Sequence, residues 1–278
     1  MEENPEKFKP VEVPCDAPEN FYCPVKTGPK GYRLFLPCPV NTKSPAGSFD
    51  IADCLNVGGY AGPPGNPAAL CPANTYCPEL VTPVANPCPS NTESLTGSDD
   101  ILSCKAKAGY SHDSAGYGTP ATPCATGTYC PAASLAPSPC PANTDSPARS
   151  AALVACAALA GFYGPLGTAA SPCPKDSYCP ARSVRPSPCP SQTATAGEGE
   201  SAILACKAVA GYSGPYGTAA TICPLSTYCP AESVSPSICP ANTASPSGSS
   251  DILQCRARAG FYGPWGQPAV QVRFVFSM

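Results

Sequence analysis

The cysteines are the residues with most chemistry to offer. Twenty occur among 278 residues, and thiols in such numbers serve as disulfides, metal ligands or nucleophiles. Cysteine-only zinc sites use Cys-x2-Cys pairs, and none is present. A nucleophilic thiolate needs an unpaired cysteine beside a base, and an even, regularly spaced set points instead to ten disulfides with no thiol left over. The single histidine, His112, stands in a polar loop and is expected on the surface. Without a second histidine or a clustered acid pair, neither a hydrolytic triad nor a histidine metal site can be assembled. Glycine alternates with proline and aromatic residues in turns, which is not a phosphate-binding loop. The expectation is a protein that is not an enzyme and that carries no metal or cofactor.

Composition sets the environment. A reducing cytosol would keep so many thiols free, so the chain is expected to be extracellular or at the cell surface. Only 13% of residues are charged and the net charge is −3, which gives no basis for nucleic-acid binding. The one basic run, at residues 26–33, reads as a solvated loop. No stretch approaches the 18 or so apolar residues of a membrane span. The charged segment 1–14 has no apolar core and is not a secretory signal, so the sequence is read as partial or mature.

The cysteines recur with a period of about 50 residues, the mark of a repeat array. The first of each set are Cys15, Cys71, Cys124, Cys173 and Cys223. The second, each between Tyr and Pro, are Cys23, Cys77, Cys130, Cys179 and Cys229. The third, which open Cys-Pro-x-Asn-Thr except where Gln192 replaces Asn, are Cys38, Cys88, Cys140, Cys189 and Cys239. The fourth are Cys54, Cys104, Cys156, Cys206 and Cys255. This divides the chain into an N-terminal segment 1–14, repeats at 15–70, 71–123, 124–172, 173–222 and 223–271, and a divergent tail 272–278. Val272 stands where a further first cysteine would fall, and the tail reads either as a truncation artefact or divergent end, or as a strand.

Units this small bury too little surface to fold without covalent staples. Four cysteines allow three pairings, and complete sets of four favour bridges within each unit. The expected fold is therefore a set of small disulfide-rich repeats. They would form an elongated array of five modules with short β-strands, turns, one short helical turn each and little other regular structure. The helical turn is expected just before the fourth cysteine, where Ser or Asp precedes an apolar pair, as in Asp100-Ile101-Leu102. Ile101, Leu102, Leu153, Val154, Ile203, Leu204, Ile252 and Leu253 are the candidates for a miniature core.

The Asn of Cys-Pro-x-Asn-Thr reads as a turn residue that tolerates positive φ. No Asn in the chain meets the Asn-x-Ser/Thr glycosylation rule. A Gly-aromatic pair and a Gly-rich turn follow each fourth cysteine. Tyr60, Tyr110, Tyr117, Phe162, Tyr163, Tyr212, Tyr216, Phe261, Tyr262 and Trp265 are thus candidate inter-module or assembly contacts. Their rings either pack on the next module or stand exposed to meet sugar or another chain. Pro137, Ser138, Pro186, Ser187, Ser235 and Pro236 lie in Pro-Ser segments that read as extended spacers or as sites of O-linked glycosylation.

Cys-Pro-x-Asn-Thr with a cysteine about fifteen residues later resembles the Cys-Pro-x-Gly-Thr repeats of ephrin-receptor-like and tumour-necrosis-factor-receptor-like modules. It also resembles tandem repeats of algal and protist surface proteins. The resemblance spans residues 15 to about 266, departs in using Asn or Gln192 for Gly, and implies architecture but no ligand. Compact units about 25 Å across would make a rod of roughly 120 Å. The leading expectation is an extracellular structural glycoprotein that associates with itself into a fibril, coat or matrix. The alternative is a receptor-like or adhesion ectodomain, set apart by one distinctive unit. The first two units deviate most, through Tyr32, Leu34 and Phe35 and through the enlarged linker around His112.

Overall fold

The computed structural model describes residues 15–24, 34–79, 84–112 and 115–273. The N-terminal segment, the basic run with Tyr32, and the tail beyond Arg273 lie outside the described residues. The chain divides into two compact bodies, Met1–Ala125 with Cys130–Ser138 and Thr126–Tyr129 with Pro139–Met278.

Local structure begins at proline. In Cys-Pro-x-Asn-Thr, proline fixes its own φ. The Thr42 N–H and hydroxyl both donate to the Pro39 carbonyl, at 3.1 and 2.6 Å. The same hydroxyl-to-proline bond, from a Ser or Thr three residues on, occurs sixteen times among the described residues. Pro, Ser and Thr are thus the turn-forming material of the fold. The residue before the Thr takes the left-handed conformation: φ is 63° at Asn41, 61° at Asn91, 60° at Asn143, 61° at Gln192 and 63° at Asn242. Asn is among the few residues with a side chain that occupies this region readily, as its reading as a turn residue requires.

Each such turn feeds a two-residue strand. In the second repeat, Thr75–Tyr76 pairs with Asn86–Pro87, Thr92–Glu93 with Lys105–Ala106, and Tyr110–Ser111 with Thr122–Pro123, all antiparallel. Fifteen such two-stranded sheets occur among the described residues. A single 3-10 turn precedes each fourth cysteine, at Ile51–Asp53, Ile101–Ser103, Leu153–Ala155, Ile203–Ala205 and Ile252–Gln254. The carboxylates of Asp50, Asp100 and Asp251 cap three of them, whereas Ala152 and Ala202 offer no side-chain cap. The uncapped turns still close, because the fourth cysteine N–H donates back to Leu153 or Ile203 at 3.0 Å.

All twenty cysteines are bridged, first to second and third to fourth, so every disulfide stays within its own repeat. The sulfurs also form the interior. The buried apolar residues are cysteines and alanines, and the buried polar ones are mainly serines and threonines. The expected Ile/Leu core is not found: Ile101, Leu153, Ile203 and Ile252 are 36–40% exposed, and Leu102, Val154, Leu204 and Leu253 are 56–64% exposed. Each pair stands one residue short of a fourth cysteine that is itself 0% exposed. The bridge takes the one interior position, and too little volume remains for a branched side chain.

Candidate functional site

The chain also contacts itself in a recurring way at the joints between consecutive repeats. Five residues after the fourth cysteine comes a glycine with φ of 84–87°, at Gly59, Gly109, Gly161, Gly211 and Gly260. At the first four, the N–H donates to the carbonyl of the next repeat's second cysteine: Gly59 to Cys77, Gly109 to Cys130, Gly161 to Cys179 and Gly211 to Cys229. Glycine is needed twice over here. An added Cβ at Gly59, Gly161 or Gly211 would fall 2.4–2.6 Å from the carbonyl oxygen of Gly97, Gly199 or Gly248 in the following repeat, besides the cost of positive φ.

Two more backbone bonds complete the joint. After the third repeat, Gly164 N–H donates to Ser183 and Arg182 N–H donates to Ala158, at 3.0 and 2.7 Å. After the fourth, Gly214 donates to Ser233 and Glu232 to Ala208, at 3.0 and 2.8 Å. After the second, His112 donates to Ser134 and Ala133 to Ala106, at 3.2 and 2.8 Å. These main-chain bonds recur in one pattern at the joints after the second, third and fourth repeats.

The asparagine of Cys-Pro-x-Asn-Thr anchors the hairpin that carries this joint. Its side-chain amide donates to the carbonyl just before the hairpin's returning strand: Asn41 to Ala68, Asn91 to Ala121, Asn143 to Ala170 and Asn242 to Ala269, at 2.8–3.0 Å. A glycine there could take the same φ but could not make this bond. Gln192 makes no such bond among the described residues.

The structure corrects the placement of His112, which is buried at 1% exposure. It holds the place that Gly164 and Gly214 hold in later repeats, where a Cβ would crowd an alanine at 3.2–3.4 Å. The second repeat makes room with a longer hairpin, 15 positions from Gly109 to Cys124 against 12 from Gly161 to Cys173. The imidazole Nδ1 lies 3.3 Å from the Thr119 hydroxyl, and the ring meets Tyr117 edge-on at 5.5 Å.

The aromatic candidates fall into two groups. Tyr60, Tyr110, Phe162, Tyr163, Tyr212 and Phe261 are half-buried along the joint hairpins. Tyr117, Tyr216 and Trp265 occupy the Gly-rich turns, and each has a cation over its ring: Lys105 at 5.5 Å, Lys207 at 5.4 Å and Arg256 at 4.7 Å. Tyr262 and Trp265 are the most exposed, at 62% and 60%. The cations were missed from sequence. Their signal was there to find, since a Lys or Arg follows the fourth cysteine only in the repeats with an aromatic turn; elsewhere Leu55 or Ala157 stands there, opposite Pro64 or Leu166. Among the described residues two ion pairs join neighbouring repeats, Lys43 with Glu79 and Lys207 with Glu232. The hydrogen bond that Lys207 donates to the Glu232 carboxylate holds its ammonium above the ordinary pKa of 10.5. The contact is thus complete at neutral pH and is lost as pH rises through the raised lysine pKa.

The Pro-Ser candidates are separate from the joints. Ser138 and Ser187 are half-buried, while Ser235, Pro137 and Pro236 are exposed. Ser134, Ser183 and Ser233, in the same loops, spend their hydroxyls on the proline carbonyls.

In comparison with known proteins, no family model matches the chain and no match is found among curated proteins. The description that stands is of disulfide-rich repeats built from short hairpins, of the kind that suits an oxidising, extracellular setting. Among the described residues no helix is long and apolar enough to cross a membrane.

Proposed function

We propose that this chain is a non-catalytic structural protein of an extracellular coat, fibril or matrix, and that it works by associating with its own copies. The observation that carries this reading is the main-chain joint, made with the same atoms at successive repeats. A face that depends on backbone rather than on particular side chains accepts any unit of the same kind, and quasi-identical faces meeting head to tail give open assemblies. The Cys-Pro-x-Asn-Thr pattern supports kinship with ephrin-receptor-like and tumour-necrosis-factor-receptor-like modules at the level of architecture. Glycans on Ser138, Ser187 or Ser235 would belong to the same matrix role.

Negative-stain electron microscopy of natively sourced, non-reduced protein tests the reading. Concentration-dependent filaments or sheets are expected. Separate particles at every concentration would contradict it.

A receptor-like or adhesion role is the second reading, and one observation favours it. The fifth repeat exposes Tyr262 and Trp265 together, with Arg256 over the indole. A glycan array probed with the native chain would support this reading if binding is lost on Trp265→Ala and kept on Tyr216→Ala.

A further inference from the structure

The joints after the third and fourth repeats share the same three main-chain bonds, at 2.7–3.0 Å in the one and 2.8–3.0 Å in the other. They differ in what the side chains add. After the fourth repeat, the Tyr216 ring carries the Lys207 ammonium at 5.4 Å, and its hydroxyl reaches across to the Glu232 carbonyl at 3.5 Å. Lys207 in turn bonds the Glu232 carboxylate at 2.8 Å. After the second repeat, Tyr117 carries Lys105 and its hydroxyl reaches the Ala133 carbonyl at 3.3 Å. In both places a ring held by a cation on its own repeat grips the left-handed turn residue of the next, where φ is 67° at Glu232 and 63° at Ala133. The joint after the third repeat has no counterpart. Ala157 takes the place of the cation, Leu166 that of the ring, and Arg182 that of the acid.

We infer that the Lys–Tyr pairs are side-chain locks on the joints after the second and fourth repeats, and that the joint marked by Ala157, Leu166 and Arg182, which has no such lock, is a more compliant joint than these two. This inference does not depend on self-association. The physical basis is additive: a cation over a ring and a hydrogen bond across the joint each raise the free energy needed to open it. The main-chain bonds shared by the joints after the second, third and fourth repeats cannot distinguish one from another. Local opening of this sort sets the exchange rate of the amides involved.

Amide hydrogen exchange on the full, disulfide-bonded chain tests this difference. At neutral pH and low salt, the Gly161 and Arg182 amides should exchange about tenfold faster than those of Gly211 and Glu232. The gap should narrow in 0.5 M salt as the Lys207–Glu232 contact is screened. Removing the lock with Lys207→Ala and Tyr216→Leu should bring the fourth joint to the rate of the third. Installing it with Ala157→Lys, Leu166→Tyr and Arg182→Glu should slow the third joint several-fold, with the disulfide pattern unchanged by peptide mapping. Equal protection of the two joints in the native chain would overturn the inference. So would an installed lock that leaves Gly161 and Arg182 exchanging as before.

Discussion

Asn143 does two things at once: its backbone takes a left-handed turn, and its side-chain amide ties down Ala170. Asn143→Asp keeps the shape and the tolerance of positive φ but removes the donor. Exchange at the Ala170 amide, which is bonded to Ala142, should then speed up about fivefold, equivalent to about 1 kcal/mol. The converse holds at the one repeat that lacks the tie. Gln192→Asn should gain a bond to the Ala220 carbonyl and slow exchange at the Ala220 amide by a similar factor. The turn role of this asparagine was legible in sequence, because proline before it and its own αL tolerance are local properties. The tie was not, because its partner lies 27 residues away. His112 shows the opposite failure. A polar loop looked exposed, but the extra hairpin length that buries the ring is a property of how that loop folds back, not of its composition.

The elements are too short to hold themselves, so what they lean on decides their stability. A two-residue strand pair is marginal in isolation; here it is bounded by a bridge, a proline turn or a joint glycine. Gly161→Ala should disrupt its joint, since the new Cβ would lie 2.4 Å from the Gly199 oxygen. Gly260→Ala meets nothing within 4 Å among the described residues and should cost only the positive-φ penalty, about 1–2 kcal/mol. Denaturant unfolding of the two non-reduced variants checks the difference. The staples should also differ in weight. In the chain-entropy account, removing Cys189–Cys206, which spans 17 positions, costs about 3 kcal/mol, and removing Cys173–Cys179, which spans 6, costs about 2 kcal/mol. Paired Cys→Ala substitutions followed by unfolding measure both. The hairpins and the 3-10 turn could be read from proline, glycine and capping patterns. The apolar pairs misled, because hydrophobicity marks a core only where the fold has volume for one. In these repeats the interior is a bridge lined with alanine and serine.

Among the described residues, covalent closure is confined within repeats, while succession from one repeat to the next rests on main-chain hydrogen bonds to which some joints add side-chain contacts. The twenty-cysteine rhythm made the repeats visible at once, but four cysteines per repeat left the pairing open, and only the spatial arrangement distinguishes the alternatives. The joints were hidden for another reason. A glycine N–H meeting a cysteine carbonyl in the next repeat leaves no side-chain signature beyond the glycine itself. Separate closure of each repeat is what allows one face to serve for every neighbour. The most direct test is a disulfide map of the native chain by mass spectrometry after non-reducing digestion. The account predicts only first-to-second and third-to-fourth bridges, such as Cys124 with Cys130 and Cys140 with Cys156. A bridge joining cysteines of two different repeats would contradict it.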